Sequence, residues 1–253
     1  MREASGAVWV PASFGLAPHV VVVGDSGTKG EFAVVDAESG ALLGKGNLPL
    51  GEGVSDDIEG FARAGERYHA LTSNGRVRTY RRTGATAFEL IGAPYELHPD
   101  VVCPAPRSSN CRFDFEGLCL APTVEDRGGG CDGYAASRAK GSLVCVVIGE
   151  DGRLAAEPAR TVAIAPPFVL SGCAISPEGD RLYAGMNGLA ANAVVRLSGW
   201  RDPATARPEP LGPAGTGFSE GEAVGPGGVL YRFSDTRGAP SLMSALSCPT
   251  PSP

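Results

Sequence analysis

The stretch Phe113-Asp114-Phe115-Glu116-Gly117-Leu118 decides the fold, because it recurs along the chain. Two copies read Asp56-Asp57-Ile58-Glu59-Gly60-Phe61 and Gly217-Phe218-Ser219-Glu220-Gly221-Glu222, and a degenerate copy reads Phe168-Val169-Leu170-Ser171-Gly172-Cys173. A short apolar run, a turn and a strand-like segment follow each copy. A motif that recurs together with its surroundings indicates stacked copies of one supersecondary unit.

The strand-like segments end in polar residues at a nearly constant spacing. From Asp25 to Asn74 is 49 positions, from Arg138 to Asn187 is 49, and from Asn187 to Asp235 is 48. The one longer interval, 64 positions from Asn74 to Arg138, contains a glycine-rich, charged insert at 121–133. Periods of about 40 to 50 residues fit the four-stranded blades of a propeller. We therefore predict an all-β propeller with four-stranded antiparallel blades, five in number, with six as the alternative.

We expect one domain over residues 1–253. Its predicted blades span 7–50, 56–95, 113–165, 168–212 and 217–247. The last blade leaves no room for a fourth strand before the proline-rich end of the chain. The apolar run 7–11 is therefore expected to complete either the last blade or the first.

Composition narrows the possible partners. The net charge of -6 and the pI of about 5.2 argue against a polyanion such as nucleic acid as a partner. The chain has no run of about 18 apolar residues, so no membrane span is expected. We expect a monomer that binds a small-molecule or protein ligand at one propeller face.

The seven cysteines indicate an oxidising compartment. Cys103, Cys111 and Cys131 lie in polar loops, where bridged thiols are more common than free ones, and the spacing matches no zinc-ligand pattern. We therefore predict an extracytoplasmic location, periplasmic or secreted. The first residues, 1–6, lack the apolar core of a signal peptide.

The repeated Glu-Gly pair predicts a site. First strands of propeller blades line the central channel, so the repeated glutamates are expected at one mouth. Antiparallel pairing returns the ends of the second strands to that same mouth. Carboxylate oxygens around one axis suit Ca²⁺, which takes six to eight oxygen ligands. The predicted Ca²⁺ ligands are Glu59, Glu116, Glu220, Asp25 and Asp235.

Two alternatives to this metal site stay open. Each glutamate can instead accept hydrogen bonds from backbone amides and fix the turn at the start of its blade, or can act directly in catalysis. The predicted substrate or phosphate contacts at the same face are Arg138, Lys140, Asn74 and Asn187. For Arg138 and Lys140 the competing interpretation is a solvated hairpin.

Two further polar groups are assigned structural roles. His69 lies inside a predicted strand, so we expect a packed rather than a catalytic imidazole. The arginines at 76, 78, 81 and 82 are interpreted as the solvated face of an outer strand, where like charges discourage edge pairing.

The segments Asp57-Ile58-Glu59-Gly60, Asp114-Phe115-Glu116-Gly117-Leu118 and 219–236 resemble blades of the phytase-like esterase propellers and of the related SdiA-regulated propeller family. That resemblance implies an extracytoplasmic β-propeller, often associated with calcium, that acts on phosphate or carboxylic esters. Ser171 departs from the pattern, since it stands where the other copies have glutamate.

Two functional hypotheses follow. The first is a secreted binding or scaffold module in which a cation at the channel mouth holds the blades together. The second is a calcium-dependent hydrolase of phosphate or carboxylic esters. In the hydrolase, Glu59, Glu116 and Glu220 ligate the ion and Arg138 neutralises substrate charge.

Overall fold

The computed structural model describes residues 3–52, 55–100, 113–123, 129–164, 169–188, 192–214, 218–235 and 241–247. These residues form five antiparallel sheets, and the first strands of the sheets contact one another in a closed cycle. The protein is therefore a five-bladed propeller, as predicted. The strands in chain order are β1 Ala4–Val10, β2 His19–Gly24, β3 Glu31–Asp36, β4 Leu42–Asn47, β5 Ile58–Ala64, β6 Arg67–Thr72, β7 Arg76–Gly84, β8 Ala87–Leu90, β9 Tyr95–Glu96, β10 Phe115–Leu120, β11 Gly133–Ser137, β12 Ser142–Ile148, β13 Leu154–Ala163, β14 Val169–Ile175, β15 Leu182–Asn187, β16 Ala193–Ser198, β17 Arg207–Pro213, β18 Phe218–Val224, β19 Val229–Asp235 and β20 Met243–Ser247.

Four blades have four consecutive strands each, β1–β4, β5–β8, β10–β13 and β14–β17, and the short strand β9 adds to β7 in blade two. The described part of blade five contains the three strands β18–β20. The N-terminal run is the innermost strand of blade one, because β1 pairs with β2. Of the two positions expected for this run, the first blade is the correct one.

A hydrogen bond and apolar packing join blade five to blade one. The backbone N–H of Ala4 donates to Ser241 Oγ at 3.1 Å, which ties β1 to the chain just before β20. Ala223, Tyr231 and Phe233 from blade five pack with Ala4 and other apolar residues of blade one. Apolar clusters of the same kind fill the spaces between the other neighbouring blades, and burial of these side chains is the main stabilising contribution to the closed ring.

The repeated dipeptide marks a β-bulge in every first strand. The register of the first strand against the second shifts where the dipeptide lies in all five blades. In blade one the dipeptide is Ser5-Gly6, a copy that the predicted repeat did not include. Each bulge inserts one extra residue and bends the strand at the channel.

The glycine of each bulge lies at the closest approach between neighbouring blades. A Cβ atom added to Gly6 would lie 2.6 Å from the backbone N of Phe61, and one added to Gly117 would lie 2.7 Å from Cα of Gly172. A Cβ on Gly221 would lie 2.8 Å from the carbonyl oxygen of Ser5. The set closes on itself around the axis, and we call it the glycine ring: Gly6, Gly60, Gly117, Gly172 and Gly221. The axial cavity at this ring is about 10 Å³, which is room for no more than about one water.

Two disulfide bonds lie in the described residues. Cys119–Cys173 joins β10 of blade three to β14 of blade four, and Cys131–Cys145 joins the loop before β11 to β12. Both bonds indicate folding in an oxidising, extracytoplasmic environment. Cys103 and Cys111 lie outside the described residues. No helix in the described ranges combines the length and the apolar character needed to cross a membrane.

The interpretation of the β7 arginines as a solvated face is wrong for two of them. Arg78 and Arg82 are buried, whereas Arg76 and Arg81 pair with surface glutamates. The Nε of Arg78 donates to the carbonyl of Leu50 at 2.7 Å. Backbone carbonyls accept hydrogen bonds from both buried guanidinium groups, which offsets part of the cost of burying them.

His69 is packed inside blade two, as expected, with 1% of its surface exposed. Its Nδ1 lies 3.2 Å from Thr79 Oγ1. Burial lowers the pKa of His69 to about 4, and the nearby charge of Arg67 lowers it as well.

His69 makes stability depend on pH. Below about pH 6.5 the imidazole is protonated in the unfolded chain, whereas in the folded protein it stays neutral down to about pH 4. The free energy of unfolding should therefore fall as the pH drops through this window, by up to about 3 kcal/mol relative to His69→Gln. Urea denaturation of both proteins at several pH values measures the difference. Parallel pH profiles for the two proteins would contradict the assignment.

Candidate functional site

Three carboxylates from two blades converge at one mouth of the channel. Asp25 follows β2 of blade one, whereas Asp57 and Glu59 lie at the start of β5 in blade two. One oxygen from each lies within 4.8 Å of one from each of the others. Asp25 and Asp57 are partly exposed and Glu59 is 7% exposed. We call these residues the acidic triad.

Loop docking between blades one and two assembles the triad. The carboxylate of Asp56 accepts backbone hydrogen bonds from Gly27 at 3.1 Å and from Lys29 at 3.0 Å. These bonds hold the turn after Asp25 against the chain that enters β5. Ser73 Oγ donates to the carboxylate of Asp57. Asp25 and Asp57 therefore face each other because the Gly24-Asp25-Ser26-Gly27 turn is fixed on its neighbouring blade.

Glu59 points inward from the bulge of β5, and a side chain of blade one donates a hydrogen bond to it. Ser5 Oγ donates to Glu59 Oε2 at 2.5 Å. Burial raises the pKa of Glu59 well above its ordinary value, and the charges of Asp25 and Glu116 raise it further. Burial likewise raises the pKa of Asp25 to about 6, with a contribution from Asp57. The triad resists full ionisation without a compensating cation.

Glu116 extends the acidic cluster into blade three. Burial raises the pKa of Glu116 to about 9, against the opposing effect of Arg138. The charges of Glu220, Asp114 and Asp25 also raise it, so acidic groups from three other positions of the mouth act on Glu116. Arg138 Nη1 lies 2.8 Å from Glu116 Oε1, and Arg138 Nε lies 2.7 Å from Asp114 Oδ2. The guanidinium of Arg138 thus bridges two carboxylates of its own blade.

Asp114 takes an uncommon backbone conformation to make this bridge. Its φ is +48°, in the left-handed region where aspartate is among the better-tolerated side chains. The Arg138 backbone N–H donates to the Asp114 carbonyl at 2.9 Å. Both the backbone and the side chain of Asp114 therefore hold the turn that follows β11.

The remaining predicted site residues lie around the same mouth. Asn74 Oδ1 accepts a hydrogen bond from Thr72 Oγ1 at 2.6 Å, and Asn187 Oδ1 accepts one from the backbone N–H of Ser219 at 3.2 Å. These two amides hold turns and blade contacts. Lys140 is exposed, with its Nζ 5.7 Å from the ring centroid of Phe113. The backbone of Asp235 pairs with Phe218 in blade five. The roles of all four in binding substrate or metal stay predictions.

The structure adds Asp57 and Ser5 to the predicted set. Asp57 is not among the predicted ligands, and its side chain joins the triad because Asp56 docks the blade-one loop. Ser5 supplies the hydroxyl that holds Glu59. Its signal in the sequence was Ser5-Gly6, which matches the degenerate copy Ser171-Gly172.

The donor set of the triad fits a hard divalent cation. Ca²⁺ binds oxygen at about 2.3 to 2.6 Å, so two ligands on opposite sides of one ion lie about 5 Å apart. Carboxylate oxygens within 4.8 Å of one another can all reach such an ion. All three donors are carboxylates, and the described part of the mouth presents no sulfur or imidazole ligand to the triad, so a soft metal is disfavoured.

Comparisons with known proteins assign the chain to no family. No family model matches the chain. No curated protein matches it in sequence.

Similar solved structures share little sequence with the chain. A putative 6-phosphogluconolactonase from Bacteroides uniformis ATCC 8492 is 14% identical with a TM-score of 0.47, covering 94% of this chain and 68% of its own. A protein from Lactobacillus plantarum is 13% identical at a TM-score of 0.46, with 90% and 63% covered. The β-propeller domain of Myceliophteria thermophila Cps50 (Swd1) is 11% identical at 0.45, with 97% and 70% covered. The chain thus spans under two thirds of the second of these structures. The resemblance to phytase-like and SdiA-regulated propellers stays a prediction.

Proposed function

We propose that this propeller is a binding or scaffold module whose acidic triad holds Ca²⁺ and so fastens blade one to blade two. The observation that carries the proposal is the convergence of Asp25, Asp57 and Glu59 from two blades within 4.8 Å. An ion there would stabilise the ionised carboxylates of Asp25 and Glu59, whose pKa values are raised by burial and by neighbouring negative charges. A ligand, small molecule or protein, would bind at the face that the ion orders.

The ion should stabilise the fold. Ca²⁺ that binds only the folded protein adds about 2.7 kcal/mol at a hundredfold excess over its dissociation constant. For a chain of this size, that gain raises the melting temperature by about 5 to 10 °C. We expect this increase between EDTA and millimolar CaCl₂, measured by calorimetry, together with about one Ca²⁺ per chain by equilibrium dialysis. The increase should be larger at pH 8 than at pH 5, because binding displaces protons from the carboxylates.

Glu59→Gln is the decisive variant. Its neutral amide keeps the shape of the side chain and the contact with Ser5, so the protein in EDTA should melt at or above the wild-type temperature. The same variant should lose the response to CaCl₂. Glu89→Gln is the matched control, since Glu89 pairs with Arg81 on the surface of blade two and should respond as wild type does. Two results would contradict the proposal. One is a wild-type melting temperature that is the same in CaCl₂ and in EDTA, and the other is a melting temperature of Glu59→Gln that still rises in CaCl₂.

Calcium-dependent ester hydrolysis is the second candidate. The observation that favours it is the partial exposure of Asp25 and Asp57, which leaves one side of a bound ion accessible to substrate. Ca²⁺ bound there would polarise a phosphate or carbonyl oxygen and activate water. Arg138 is 38% exposed but is engaged by Asp114 and Glu116, so neutralising a substrate would require it to leave one of them. Turnover of p-nitrophenyl phosphate or acetate that EDTA abolishes would favour this candidate over the scaffold.

A further inference from the structure

The channel has a second, chemically different mouth. Beyond the glycine ring, in the direction in which the first strands run, the channel widens into a cavity of about 220 Å³. All five blades line this cavity, through Trp9, Arg63, Leu120, Ile175 and Val224 among others. The glycine ring narrows the axis between this cavity and the acidic triad, where the space is only about 10 Å³. The residues that line the cavity include none of the acidic triad.

The shape and chemistry of this cavity suit a small ring. Its described lining consists of aliphatic, aromatic, proline and disulfide-bonded cysteine side chains, with one charged residue, Arg63. Apolar cavities of about 150 Å³ in proteins stay dry and bind benzene. The larger volume here has room for one aromatic ring with a short substituent. The indole of Trp9 offers it an aromatic contact.

Arg63 supplies the polar end of the site. Its Nε is buried and has no hydrogen-bond partner among the described residues. Its Nη2 lies 3.1 Å from Glu66, whose side chain is 93% exposed and therefore holds the arginine weakly. The guanidinium lies over the ring of Tyr68, with Cζ 5.9 Å from the ring centroid. A guanidinium at the edge of an apolar cavity attracts a carboxylate, which accepts charge-assisted hydrogen bonds from it.

We propose that this cavity binds a small aromatic carboxylic acid, with the ring among the first strands and the carboxylate on Arg63. The aromatic body contributes affinity through apolar burial, and the ion pair with Arg63 selects acids over neutral analogues. The proposal assigns the site a ligand class and concerns a part of the molecule that the Ca²⁺ proposal does not use.

Binding of 3-phenylpropionate and of the neutral 3-phenylpropan-1-ol tests the proposal. For a ligand of this size we expect a dissociation constant on the order of 0.1 to 1 mM for the acid by isothermal titration calorimetry. The alcohol should bind about tenfold or more weakly, since it lacks the charge-assisted hydrogen bonds. The acid should also change the fluorescence of Trp9, and this change should vanish in Trp9→Phe, because the other tryptophan, Trp200, is 2% exposed within blades three and four.

Arg63→Gln separates the charge from the cavity. It should weaken the acid about tenfold or more and leave the alcohol unchanged. Arg81→Gln, which removes an exposed arginine paired with Glu89 on the same blade, should bind the acid as wild type does. Equal affinities of the wild type for acid and alcohol would overturn the proposal without any variant. Absence of saturable binding, or a Trp9-independent fluorescence change, would also overturn it.

Discussion

Gly117→Ala is expected to destabilise the protein by about 3 kcal/mol or more, although it adds a single methyl group. The new Cβ would lie 2.7 Å from Cα of Gly172 and 3.1 Å from the backbone N of Cys173. Both neighbours are backbone atoms of the next blade, so no side chain can rotate away. Blade three can accept the methyl only by moving outward, and the closed ring passes that displacement to the other four blades.

The loss should be measured by urea denaturation, with Gly84→Ala as the control. Gly84 ends β7 near the outside of blade two, and a Cβ there would lie 3.5 Å from Cβ of Ala87, an ordinary contact. The control should therefore stay within about 1 kcal/mol of wild type. Equal stabilities of Gly117→Ala and Gly84→Ala would show that the blades do not meet at the glycines.

The glycine ring also explains why the fold could be predicted from the sequence. Five blades leave a narrow channel, so each first strand needs a glycine at the same depth, and the need repeats with the blade. Glu59-Gly60, Glu116-Gly117 and Glu220-Gly221 carried that repeat visibly. In blade one the repeat is harder to identify, because Ser5 replaces the glutamate before Gly6. Packing requires only the glycine, and the residue before it varies with the chemistry of the mouth.

The candidate site could be predicted from the sequence only in part. The convergence of Glu59 and Glu116 follows from the repeat alone. The side-chain partners do not, because they depend on how loops between blades dock. Asp57 joins Asp25 through backbone hydrogen bonds to Asp56, and Arg138 is drawn to Asp114. The burial of Arg78 has the same origin, since its acceptor is the carbonyl of Leu50 in a connecting loop.

Blade five contains a buried ion pair where the other blades have apolar side chains. Glu222 follows the bulge of β18 and is in register with Arg232, whereas the matching residues in blade three are Leu118 and Ala135. Arg232 Nη2 lies 3.1 Å from Glu222 Oε1, and the two side chains are 2% and 1% exposed. A Cβ on Gly172 would collide with the Glu222 carboxylate, so the pair lies between blades four and five.

Removing one partner of this pair should be costly. Arg232→Met leaves Glu222 buried without its cation, and burial already raises the pKa of Glu222 against the effect of Arg232. We expect a loss of about 3 to 5 kcal/mol in the free energy of unfolding, measured by urea denaturation near neutral pH. The loss should shrink at lower pH, because the glutamate with the raised pKa takes up a proton more readily when Arg232 is absent.

The double variant Glu222→Leu with Arg232→Met tests whether the ion pair stabilises the fold more than apolar side chains at the same two positions would. Glu222 Oε2 is buried without a hydrogen-bond partner among the described residues, so the pair does not recover all that desolvation costs. Leucine reproduces Leu118 of blade three, and methionine keeps much of the volume of the arginine. The double variant should therefore regain most of the stability that Arg232→Met loses. The opposite outcome is a loss of unfolding free energy in the double variant that equals the sum of the losses in the two single variants. That result would show that the carboxylate and the guanidinium act independently, and that the register of β18 against β19 does not depend on their pairing.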